Sequence, residues 1–145
     1  MPIRKPDPKI KPIVELLKKN QGLTYIISSA GEFPDVNSSS PHSDSTHPDV
    51  YAHVFFEMPK DKEPELEKMI RYLLSRAVGH WSEFMVEFNK EYYVIPETII
   101  LSVRWKMEIV PFSCKYDRDY PISQKIEYTK KGITFVEEVL RNYFK

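Results

Sequence analysis

His42, Asp44, His47, Asp49 and His53 fall within twelve residues of one another. Imidazole and carboxylate groups are ligands for zinc, iron or manganese. A divalent metal held by His42, His47 and His53 is therefore the first chemistry to consider. His53 falls on a predicted strand, the kind of rigid base that such sites favour. The spacing matches no established ligand signature. The competing reading is a solvated loop with incidental histidines, because ordering a Ser-rich segment costs about 1–2 kcal/mol of backbone entropy per residue.

A second candidate lies just upstream, where Ser28-Ser29-Ala30-Gly31-Glu32 follows a predicted strand. A glycine after two hydroxyl residues can turn backbone N–H groups toward an anion or carboxylate. Ser28, Ser29, Gly31 and Glu32 are accordingly the candidate ligand-binding residues. A third collection is aromatic: Trp81, Tyr92, Tyr93, Trp105, Tyr116 and Tyr120. Exposed rings can stack on a base or a ligand, although a domain this size must also use its aromatics in packing. Asp117 and Asp119 flank Arg118 and could shape the mouth of a cleft. His80, beside Trp81, reads as a residue of a helix-cap region rather than a base. Cys114 has no histidine near it in sequence and reads as a small packed residue.

These candidates need a scaffold, and apolar periodicity supplies one. Ile10, Ile13, Val14 and Leu17 share one face of a predicted helix over 9–20 that stops at Gly22. Residues 23–28 read as a buried strand. Residues 29–49 are a long polar excursion, of a length that tends to be functional or disordered. Residues 50–58 resume as a strand, with Val50, Ala52, Val54 and Phe56 on one side. Pro59 ends it. A second helix over 60–79 carries the stripe Leu66, Met69, Ile70, Leu73, Leu74 and Ala77, and Gly79 closes it. Phe84, Val86 and Phe88 alternate in a third strand, after which Asn89-Lys90-Glu91 reads as a turn. Residues 98–110 form the clearest strand: Ile99, Leu101, Val103, Trp105, Met107 and Ile109 face one way, and Ser102, Arg104, Lys106 and Glu108 face the other. Over 121–144, Ile122, Ile126, Thr129, Ile133, Val136, Leu140 and Tyr143 recur at steps of four and three. One long helix is expected there, with Gly132 away from the stripe at a cost of about 1 kcal/mol.

The expectation is one α+β domain over 1–145, ordered αββαββα. A four-stranded antiparallel or mixed sheet carries three helices mainly on one face. Residues 1–8 form a flexible tail.

The stretch IKPIVELLKKNQGLTYIISSAGE (10–32) resembles the opening of a group of small phage and bacterial proteins. These have a helix, a Gly turn, a strand and a Ser-Cys-Glu-Gly-His motif. More remotely it resembles the tRNA wybutosine-synthesis methyltransferase family, which has Ser-Cys-Ser-Gly-Arg at the corresponding place. Ser28 and Gly31 match. Ser29 stands in place of Cys, Ala30 in place of Glu or Ser, and Glu32 in place of His or Arg. The resemblance implies a helix–turn–strand opening, a phage or bacterial origin and, for the remoter family, an enzyme acting on nucleic acid or nucleotides with S-adenosylmethionine.

Composition narrows the classes. The chain has 21 basic and 21 acidic residues and no net charge, so it lacks the basic excess of a nucleic-acid binder. No apolar run is long enough for a membrane span. A single cysteine excludes an internal disulfide and suits the cytoplasm, as does an N-terminus, MPIRKPDPKIKP, with no signal-peptide core. No phosphate-binding loop, dinucleotide fingerprint or nucleophile elbow occurs. The reading is a small cytoplasmic binding or accessory domain, with any site in 28–53. A homodimer through the long C-terminal helix or an exposed strand is the open alternative for a partner.

Overall fold

A computed structural model describes residues 8–29, 52–97, 100–111 and 122–145. The sequence expectations at Gly31, Glu32, His42, His47, Cys114 and 116–120 lie outside these residues.

Helix α1 spans Lys11–Gln21. Pro12 occupies its first turn, where a missing N–H is harmless. The helix starts two residues later than the periodicity suggests, because Ile10 is the N-cap. Its buried stripe is the expected one: Ile10, Ile13, Val14 and Leu17 are all shielded from water, each stabilising by about 1.5–3 kcal/mol. Gly22 ends it in a left-handed conformation (φ 65°), its N–H donating to the Lys18 carbonyl.

Strand β1 (Thr24–Ser29) pairs antiparallel with β2 (Ala52–Glu57), with a register irregularity between Tyr25 and Ile27. A 3-10 turn over Lys60–Lys62 leads into α2 (Glu63–Ala77), and a second over Val78–His80 leaves it. Leu66, Met69, Leu73 and Ala77 are buried. Gly79 does not close this helix with a left-handed cap. Val78 caps it in right-handed helical conformation and Gly79 belongs to the following 3-10 turn.

Strand β3 (Phe84–Ile95) pairs along its whole length with β4 (Ile100–Pro111). The turn expected at Asn89-Lys90-Glu91 is not there. Asn89, Lys90 and Glu91 sit in mid-strand opposite Lys106, Trp105 and Arg104. β2 pairs with β4 from Ile109 to Trp105, so Asn89 and Lys90 stand opposite the last residues that β2 covers and Glu91 is the first beyond them. From there β3 and β4 run on as a two-stranded extension, and the polar groups around its start pair across strands and with α2. Lys90 Nζ donates to Glu63 Oε2 at 2.9 Å, and Arg104 Nε to Glu91 Oε1 at 2.9 Å.

The class is α+β: three helices and an antiparallel sheet, whose strands lie in the order β1-β2-β4-β3. Helix α3 (Ile122–Tyr143) packs against β4 and β3 and touches both other helices. One core joins the helices to Ala52, Val54, Phe56, Phe84, Val86, Trp105, Met107 and Ile109.

Within α3 the expected stripe is corrected at two points. Gly132 faces inward. A Cβ there would collide with the Ile109 side chain and come within 3.2 Å of Phe84. The helix lies so close to the sheet that a hydrogen is all the space admits. Lys125 is also on the packed side, at 0 % exposure, one turn before the buried Thr129, whose hydroxyl donates to the Lys125 carbonyl at 2.9 Å.

Candidate functional site

A groove of about 550 Å³ lies where the turn after α2 and the start of β3 meet α3. On α3 the residues Glu127, Lys131, Thr134, Phe135 and Glu138 recur at helical spacing and line one side. His80, Glu83 and Phe84 line the other.

The floor is aromatic. The Phe84 and Phe135 rings lie 5.4 Å apart at 50°, and the His80 ring stacks on Phe84 at 5.3 Å and 12° and tilts over Phe135 at 4.6 Å. These separations are those of attractive ring pairs. Phe84 is buried and Phe135 half-buried, so the floor is anchored to the core on one side and accessible on the other.

The rim is charged. Lys131 Nζ donates to Glu83 Oε2 at 2.8 Å, and His80 Nδ1 lies 3.8 Å from Glu83 Oε1. The Lys131 hydrogen bond holds the Glu83 carboxyl below its ordinary range, and Glu83 in turn raises Lys131. Glu138 is exposed and makes no ion pair among the described residues. The lining offers one hydroxyl, that of Thr134, and no thiol.

No family model, curated protein or solved structure matches this chain.

The sequence candidates lie elsewhere. The backbones of Ser28 and Ser29 belong to the end of β1, opposite Val54 and His53. Residues 29 and 52 therefore sit at one end of the sheet, and His53 is the second residue of the strand that returns. Its ring meets Phe55 edge-on at 5.2 Å, on the face without helices. That face carries its own counter-charges. The Arg104 guanidinium covers Phe55 at 4.3 Å, Lys106 pairs with Glu108 at 2.9 Å, and Tyr93 Oη donates to Glu57 at 3.4 Å. Among the described residues no group of three or more His, Cys, Asp or Glu side chains is placed to hold a metal. Of the aromatic candidates, Trp81 and Tyr92 are exposed and Trp105 is buried. No helix among the described residues is long and apolar enough to cross a membrane.

Burial, and then Lys106, hold His53 below its ordinary value of 6.5. The folded chain thus binds fewer protons than the unfolded one between the lowered value and 6.5. His53 contributes stability that is present above 6.5 and is lost as pH falls through the folded value. We expect His53→Gln to flatten the acid limb of the stability profile. Urea midpoints of the two proteins should converge from pH 7.5 to pH 5. Parallel profiles would rule out His53 as a source of the acid sensitivity.

Sequence reasoning missed the groove. Its signals were His80, Glu83 and Phe84 at i, i+3, i+4 and Lys131 with Phe135 at i, i+4. Periodicity assigns such pairs to local packing, and nothing in the sequence alone says that the two sets meet.

Proposed function

We propose that the protein is a binding or accessory domain, built on the complete four-strand αββαββα unit, that takes an aromatic group in the groove between β3 and α3. The observation that carries this reading is the half-buried Phe135 ring, packed on the anchored Phe84 and His80 rings and left open on its other side. Ligand sites combine an apolar lining with a few placed polar groups. Here the carboxylates of Glu83, Glu127 and Glu138 stand against the ammonium groups of Lys130 and Lys131, an excess of one negative charge in the lining. An aromatic group bearing a cation suits that balance.

Tryptamine is a suitable probe for ligand-observed NMR. We expect saturable binding, with Phe135→Ala weakening it about tenfold, equivalent to about 1.4 kcal/mol. The proposal fails if Phe135→Ala binds the probe as the parent does, or if the parent binds none.

The polar segment supports a second proposal of the same class, because pairing of Ser29 with His53 brings both ends of the 28–53 candidate region to one end of the sheet. Elemental analysis of purified protein, with His47→Ala and His53→Ala as controls, tests whether a divalent metal binds there.

A further inference from the structure

A smaller pocket of about 260 Å³ lies under the β3–β4 extension, away from the groove and independent of it. Its apolar walls are Met58, Val103 and the Trp105 indole, and Tyr92, Lys60 and Lys90 stand around it.

Three features give it a chemical preference. Trp105 is 8 % exposed, and its Nε1–H is buried with no hydrogen-bond acceptor among the described residues. Indole N–H groups find an acceptor when buried, and a donor left without one is a standing penalty that an incoming acceptor relieves. The second feature is charge. Lys90 is committed to Glu63, whereas the Lys60 ammonium makes no ion pair among the described residues. Lys60, Lys90 and Glu63 together leave one positive charge at the rim. The third is helix α2, which begins at Glu63 and directs the positive end of its dipole toward this region. All three favour an acceptor or anion and disfavour a cation. The apolar walls disfavour a strongly hydrated inorganic ion.

We propose that this pocket binds a small apolar carboxylate, with its hydrocarbon body against Met58, Val103 and the indole face, and its oxygens toward Trp105 Nε1 and Lys60. Tyr92, 65 % exposed, stands at the edge of the pocket. The volume suits a molecule the size of benzoate, smaller than drug-sized ligands.

The test uses benzoate, benzyl alcohol and benzylamine, which share a ring and differ in the polar group. In a Trp81→Phe protein, Trp105 is the only indole, and its fluorescence reports binding directly. Ligand-observed NMR follows the variants that lack it. Benzoate should bind at about millimolar affinity, as expected for so few heavy atoms, with benzylamine at least tenfold weaker. Lys60→Met should weaken benzoate about tenfold and leave benzyl alcohol unchanged. Trp105→Phe, which keeps the flat wall and removes the N–H, should weaken both benzoate and the alcohol. A fold defect in Trp105→Phe leaves the surface variant Lys60→Met to decide. Equal binding of the amine and the acid, no saturable signal with benzoate, or indifference of benzoate to Lys60→Met would each overturn the proposal.

Discussion

Replacing Gly132 with valine should lower stability by about 3 kcal/mol, the upper part of the range for overpacking a filled core. For a chain of this length that is a drop of about 10 °C in melting temperature. The expectation runs against helix propensity, which alone favours any ordinary residue over glycine by up to about 1 kcal/mol in mid-helix. Packing decides the sign. A Cβ at 132 meets the branched methyl of Ile109 and the Phe84 ring. Ile109 has no space to retreat into: it is fully buried on β4, between Ala52 of β2 and Val86 of β3. Gly132→Ala should therefore be destabilising as well, by about 1 kcal/mol once its propensity gain is subtracted. Gly79→Ala is the internal contrast, because nothing lies within 4 Å of a Cβ there. It should be neutral or stabilising by a few tenths of a kcal/mol.

A double-mutant cycle locates the cause. Ile109→Ala opens a cavity and should destabilise by about 2–5 kcal/mol in the parent, but by less in the Gly132→Ala background, where the new methyl occupies part of that space. Urea denaturation of the four proteins checks this. Additive losses would mean that helix and strand do not compete for the same volume.

Gly132 also shows where reading the chain stops. The stripes on α1 and α2 were legible because burial of a helix face demands apolar residues every three or four positions, and Ile13, Leu17, Leu66 and Leu73 meet that demand. The alternation of Trp105, Met107 and Ile109 fixed the inward side of β4 in the same way. A glycine in such a pattern looks like a gap. The sequence does not distinguish a position that is outside from one where the sheet comes too close for a side chain. Lys125 misleads similarly, since charge predicts exposure and its burial depends on tertiary surroundings. At Asn89-Lys90-Glu91 the missing information was length: polar residues mark a turn only when the strand has nothing to pair with, and here β4 continues opposite them. The groove was illegible for a related reason. His80 and Phe135 belong to separate elements, and their ring contact exists only once α3 lies across β3.

Phe84 is where scaffold and groove share a side chain, and Phe84→Ala should be the more damaging substitution, at about 3–5 kcal/mol. The ring is 2 % exposed, stands opposite Pro111 at the start of β3, lies against the glycine of α3 and carries both the His80 and Phe135 rings. Removing it takes support from three elements at once, and the hole cannot collapse without moving a helix. Phe84→Leu keeps most of the volume and should lose less than about 1.5 kcal/mol. Phe135 supplies the contrast that separates binding from folding. Being half-buried, it should give a smaller stability loss on truncation while losing the tryptamine affinity. If urea denaturation shows Phe84→Ala within 1.5 kcal/mol of the parent, then Phe84 is not the post on which the groove stands, and the aromatic floor would have to owe its order to α3 alone.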